Sequence, residues 1–129
     1  LGESLACYYG LKALEHSALP TSAKHQVRRR FVDPTRRVLA GLLELDRLHA
    51  GGDALAYPLF YEQGSTFWAE LDQSLSEATS GKRTLDEFIV PLLESDLPSD
   101  GKLPQTFLAS LRSAGGPKID ALLDKYVGR

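Results

Sequence analysis

Proline and glycine residues divide this sequence into segments of helical length, and within each segment the apolar residues recur at the spacing of one helix face. Residues 3–16, for example, place Leu5, Tyr8 and Leu11 on one side and charged residues on the other. Alternating stretches that would indicate strands are short and lie between helix signals. We therefore expect an all-α fold, a single domain of about seven helices over residues 1–129. The predicted helices cover residues 3–16, 22–30, 34–50, 59–78, a segment that begins at Leu85, 104–114 and 117–127.

Several residues look like signals for the starts and ends of these helices. Ser22 is suited to cap the short basic helix, and Asp33-Pro34 combines an N-cap with a proline at the first helical position. Thr84 and Glu87 form the pattern of a capping box, in which each side chain bonds to the other residue's amide. Pro91 predicts a kink or an early stop in the fifth helix.

The composition excludes several classes of protein. Hydrophobic residues at 43% and charged residues at 25% are typical of a water-soluble globular chain, and the net charge of −2 gives no reason to expect nucleic acid or a membrane as partner. A single cysteine, Cys7, excludes an internal disulfide and a cysteine zinc cluster. We expect a soluble protein, with the cytoplasm favoured. The lack of methionine and the start within a helical pattern predict a fragment of a larger protein.

Two segments are candidates for chemistry, while the three histidines lie at no metal-ligand spacing and most resemble solvated surface groups. The first segment, residues 1–10, places the carboxylate of Glu3 before small and aromatic residues. The second, residues 60–64, reads Phe-Tyr-Glu-Gln-Gly at the start of the longest predicted helix. Glycine inside a helix costs about 1 kcal/mol relative to alanine, so Gly64 predicts a close approach of another backbone.

These two segments resemble the zinc aminopeptidases of the gluzincin type, especially the glycyl aminopeptidase-like family, and more distantly aminopeptidase N. Residues 1–9, Leu-Gly-Glu-Ser-Leu-Ala-Cys-Tyr-Tyr, are similar to the family's second metal-binding helix, with Glu3 in the place of the third zinc ligand. Tyr61-Glu62-Gln63-Gly64 is similar to a helix start whose tyrosine faces the zinc. Segments around 71–72, 80–88 and 119–128 continue the resemblance, whereas residues 20–57 align only loosely.

The resemblance implies a C-terminal helical subdomain of a thermolysin-like metallopeptidase, acting on peptide substrates. Glu3 would be a zinc ligand, and Tyr61 would donate a hydrogen bond to the oxyanion formed when a peptide carbonyl is attacked. In such enzymes a zinc with an open position lowers the pKa of its bound water towards neutrality. The two histidine ligands and the general base belong to a His-Glu-x-x-His segment that this chain lacks. The chain alone is therefore expected to bind no zinc and to be inactive, and its partner would be that segment of the same parent protein.

Other interpretations stay open from the residues alone. Ser4 and Gln63 replace the family's glycine and the lysine of the aminopeptidase N type, which would suit a divergent or inactive member. Glu3 would also suit a simple first-turn carboxylate, favoured by the helix dipole, and Tyr61 a core aromatic. The basic stretch 24–37, with six Lys or Arg and one acid, suits a protein- or RNA-binding face. The alternative function is thus a non-catalytic helical interaction module derived from a peptidase scaffold.

Overall fold

The computed structural model describes residues 2–96, 98–100 and 102–128. These residues form seven helices and no strand, which confirms the predicted all-α class. In chain order the helices are α1 Gly2–Glu15, α2 Thr21–Phe31, α3 Leu42–Ala50, α4 Ala56–Ala78, α5 Leu85–Glu94, α6 Gln105–Gly115 and α7 Pro117–Tyr126. None of the helices in the described ranges combines the length and apolar character needed to cross a lipid bilayer.

The 23-residue helix α4 is the centre of the fold, with the other six helices packed around it. Its middle is buried on nearly every side, and Phe67, Trp68, Leu71 and Leu75 are each at most 1% exposed. Burying a large apolar side chain stabilises a fold by roughly 1.5–3 kcal/mol, so this segment supplies much of the core.

Helices α1 and α4 approach each other very closely where Ser4 meets Gly64. A Cβ atom added to Gly64 would lie 2.2 Å from Ser4 Cβ, so only glycine fits at this crossing. Ser4 is fully buried, and its hydroxyl accepts a hydrogen bond of 3.0 Å from Trp68 Nε1. The predicted close approach at Gly64 is confirmed, and the neighbouring backbone is that of α1.

The helix predicted over 34–50 begins only at Leu42, because its first eight residues are held in an irregular conformation. Asp33 Oδ1 accepts hydrogen bonds from both the amide and the hydroxyl of Thr35, which closes a tight turn instead of capping a helix. The buried side chain of Gln63 then accepts from the Leu39 amide at 3.0 Å and donates to the Ala40 carbonyl at 2.9 Å. These contacts occupy the Leu39 amide and the Ala40 carbonyl, which would otherwise form hydrogen bonds within the predicted helix.

The predicted capping box at Thr84 is also wrong in its contacts, although Thr84 is the residue that precedes α5. The Thr84 side chain makes no capping hydrogen bond, and Glu87 instead pairs with Arg83 at 2.7 Å. The first amide of α5, that of Leu85, donates to Asp72 Oδ1 at 2.9 Å. A carboxylate from α4 therefore replaces the local cap, a substitution that the local sequence does not reveal.

Two smaller expectations also differ from the structure. Helix α2 begins at Thr21 after Pro20 and has no side-chain cap, so Ser22 does not cap it. Pro91 does not end α5, which continues to Glu94.

Candidate functional site

The two residues proposed from the sequence as site residues are in direct contact. Tyr61, on the second turn of α4, donates a hydrogen bond of 2.7 Å from its hydroxyl to Glu3 Oε2 on the first turn of α1. The close packing of Ser4 on Gly64 explains this, because Glu3 precedes Ser4 and Tyr61 lies one turn before Gly64. Glu3 is exposed and Tyr61 half-buried, so the pair lies at the surface.

Two aromatic residues extend this pair along the surface. The hydroxyl oxygens of Tyr61 and Tyr57 are 3.2 Å apart, and their rings meet edge to face at 4.8 Å between centroids. The imidazole of His49, on α3, lies 5.0 Å from the Tyr57 ring. We call Glu3, Tyr61, Tyr57 and His49 the Glu3 cluster. Sequence reasoning missed Tyr57, because the predicted helix began at Leu59 and the four-residue spacing to Tyr61 had no significance outside a helix.

The Tyr61 phenol is protonated at physiological pH. A phenol ordinarily has a pKa of about 10, and the hydrogen bond that Tyr61 donates to Glu3 favours the neutral form. A neutral phenol acts as a hydrogen-bond donor. The chemistry available to Tyr61 is therefore donation to an acceptor, such as a carboxylate or a developing oxyanion.

A second phenol–carboxylate contact joins α1 and α4 at the other end of their interface. Tyr8 donates to Asp72 Oδ2, which also accepts from Lys12 Nζ at 3.3 Å, while Asp72 Oδ1 accepts from the Leu85 amide at 2.9 Å. Burial, and then the hydrogen bond to Asp72, raise the pKa of Tyr8. With three donors on a carboxylate that is only 15% exposed, Asp72 is a structural residue.

A third contact of this kind lies at the surface beside the Asp72 network. Tyr9 donates to Asp86 Oδ1 at 2.7 Å, the same length as the Tyr61–Glu3 hydrogen bond, and Lys12 Nζ lies 3.0 Å from the same oxygen. The Asp86 side chain is 60% exposed. Tyr9 and Asp86 therefore match Tyr61 and Glu3 in chemistry and exposure but carry a cation as well.

The described residues do not by themselves form a zinc site. Among them, no group of three or more His, Cys, Asp and Glu side chains is arranged to hold a metal ion. Glu3 offers one anionic oxygen, and a tetrahedral zinc site takes three or four protein ligands. Zinc bound through Glu3 would need its other ligands from outside the described part of the chain.

The basic stretch 24–37 is partly neutralised by acids of the neighbouring helices. Arg28 pairs with Glu15 at 2.5 Å, and Arg36 pairs with Glu62 at 3.1 Å. Helix α2, which carries most of the stretch, contributes no fully buried residue. The predicted protein- or RNA-binding face stays a prediction.

Comparisons of the chain with protein-family models, with curated proteins and with solved structures found no match. Function is therefore inferred from the residues of the Glu3 cluster.

Proposed function

We propose that this chain is the helical C-terminal part of the catalytic region of a zinc-dependent aminopeptidase, acting on peptide substrates. In this proposal Glu3 is one of the zinc ligands, and Tyr61 stabilises the oxyanion. The histidine ligands and the general base come from the N-terminal, His-Glu-x-x-His-containing part of the same parent protein. The observation that carries the proposal is the 2.7 Å contact between these two residues, which are 58 positions apart in the sequence.

The surroundings of Glu3 suit a residue that binds a further group. The described residues give its carboxylate one hydrogen-bond donor, Tyr61, and the side chain is exposed. Asp72, by contrast, has three donors and little contact with solvent. Of these two carboxylates between α1 and α4, Glu3 has accessible lone pairs.

The role proposed for Tyr61 follows from its neutral hydroxyl. A donor fixed in place before the reaction stabilises charge as it develops on the carbonyl oxygen, and one such donor typically contributes a factor of about 10²–10³ in kcat. Helix α4 fixes Tyr61, because its next turn packs on α1 through Gly64. A neutral phenol also avoids adding a second negative charge beside Glu3.

The departures from the family pattern have structural explanations. Ser4 replaces the usual glycine but fits against Gly64, and its hydroxyl is the acceptor for Trp68 Nε1. Gln63 hydrogen-bonds the backbone of residues 39 and 40. Neither substitution removes a group from the Glu3 cluster, so neither argues against catalysis.

The test is the metal content and peptidase activity of the intact parent protein. We expect about one zinc ion per molecule and hydrolysis of glycyl or alanyl reporter substrates. Glu3→Gln keeps the size of the side chain but removes its charge, so it should lower both zinc content and turnover. Asp86→Asn is the matched control, because it removes an exposed carboxylate that also accepts from a tyrosine at 2.7 Å.

An intact protein without zinc and without hydrolytic activity would contradict the proposal. Equal loss of zinc in Glu3→Gln and Asp86→Asn would also contradict it, since the effect would then be general. Either result would favour the alternative, a non-catalytic interaction module.

A further inference from the structure

The residue next to Tyr61 on the same face of α4 is arranged to direct its hydroxyl. Tyr57 precedes Tyr61 by four residues, and the two hydroxyl oxygens are 3.2 Å apart. A phenol has one proton to donate. Since Tyr61 donates its proton to Glu3, Tyr57 is the donor in the contact between the two phenols. The three groups therefore form a chain of hydrogen bonds that runs from Tyr57 through Tyr61 to Glu3.

Tyr57 is held in this position from two sides. Its ring meets the edge of the Tyr61 ring on α4, and the His49 ring of α3 lies 5.0 Å away on a separate element. The Tyr57 side chain is nevertheless 46% exposed, so the core does not require its hydroxyl. Aromatic pairs at such distances are worth about 0.5–1.5 kcal/mol, and an aromatic ring without a hydroxyl would keep that packing.

We propose that Tyr57 is a positioning residue that aims the hydroxyl of Tyr61 and strengthens it as a donor, an inference that rests on the proposed function. A hydroxyl that accepts one hydrogen bond becomes a better donor of its own proton. The lone pair of Tyr61 that faces Tyr57 stays engaged while its proton is directed either to Glu3 or to the oxyanion of the substrate. Tyr57 itself need not touch the substrate, because it acts through Tyr61.

Kinetics of the intact parent protein test this role. Tyr57→Phe should lower kcat by about 3- to 10-fold, the effect expected for one neutral hydrogen bond, with KM unchanged. In a Tyr61→Phe background the same substitution should have almost no effect, because the hydroxyl on which it acts is gone. Tyr9→Phe, which removes a phenol hydroxyl outside the cluster, should leave kcat unchanged.

A spectroscopic measurement on this chain provides a readout that does not depend on turnover. With tyrosine labelled at its Cζ carbon with ¹³C, the resonance of Tyr61 reports the hydrogen bonds of its oxygen. Tyr57→Phe should shift that resonance, whereas Tyr9→Phe should not.

An unshifted Tyr61 resonance in Tyr57→Phe would overturn the inference. An equal loss of kcat with and without the Tyr61 hydroxyl would do the same while leaving the peptidase proposal intact. An unmodified parent without hydrolytic activity would instead overturn the proposed function, and the inference with it.

Discussion

The two ends of the α1–α4 interface use the same pair of chemical groups with opposite outcomes. At one end Tyr61 donates to Glu3, and at the other Tyr8 donates to Asp72. Asp72 also accepts from Lys12 and from the first amide of α5, so its capacity to accept hydrogen bonds is used within the fold. Glu3 is exposed, and Tyr61 is its one donor among the described residues. A carboxylate between two helices is therefore structural or available for binding according to how many donors already surround it.

Removing the Asp72 carboxylate should have the largest effect on stability. Asp72→Ala removes the acceptor for three donors, one of them a backbone amide at a helix start, so we expect a loss of about 3 kcal/mol in the free energy of unfolding. Glu3→Ala should change it by less than about 0.5 kcal/mol, as is usual at exposed positions. Urea denaturation of both variants measures the difference. Similar losses for the two variants would remove the distinction between the ends.

A side chain added at Gly64, where α1 and α4 cross, should have the next largest effect on stability. Gly64→Ala places a methyl group 2.2 Å from Ser4 Cβ, which should force α1 and α4 apart and cost about 2 kcal/mol. Gly10→Ala is the matched control, because a Cβ atom at this exposed helical glycine has nothing within 4 Å. That change should stabilise the chain by roughly 0.5–1 kcal/mol. Thermal unfolding compares the two, and a tolerated Gly64→Ala would disprove the tight crossing.

The smallest expected effect is the pH dependence of stability that comes from Asp86, at the surface beside the Asp72 network. The hydrogen bond from Tyr9, and then the one from Lys12, lower the pKa of Asp86 below its ordinary value. A lowered pKa stabilises the folded chain above the pKa of the unfolded state, about 3.9, and this contribution disappears as the pH falls through the folded pKa. Asp86→Asn should therefore be less stable than the unmodified chain at pH 7, by less than about 1 kcal/mol.

Unfolding curves between pH 2 and 7 test this. The difference between the two proteins should vanish at the acid end. A constant difference over the whole range would show that the carboxylate charge is not its cause.

The sequence predicted the helices best where a segment contains both the helical spacing of apolar residues and the proline or glycine residues that end the helix. Helices α1, α2, α4, α6 and α7 lie within three residues of their predicted bounds, and the constraint on Gly64 followed from the cost of glycine in a helix. The long-range caps could not be predicted in the same way. Asp72 replaces the capping box of α5, and Gln63 keeps residues 39 and 40 out of α3. Each contact depends on a residue that only the tertiary fold brings near.

The candidate site followed from resemblance more than from residue chemistry. Glu3 and Tyr61 were identified as separate motifs, and their contact at 2.7 Å is a property of the fold. Tyr57 was missed because the start of α4 was placed three residues too late. Its significance depends on the helical spacing to Tyr61 and on His49 from a different helix.

The most direct test of the account is the turnover of the intact parent protein with Tyr61→Phe and Tyr9→Phe. Both changes remove a phenol hydroxyl that donates to an exposed carboxylate at 2.7 Å, so their effects on folding should be alike. Tyr61→Phe should retain zinc and lower kcat by about 10²–10³-fold, while Tyr9→Phe should keep full activity. Equal kcat in the two variants would contradict the proposed role of Tyr61, because the Glu3 end of the interface would then be no more functional than the Asp72 end.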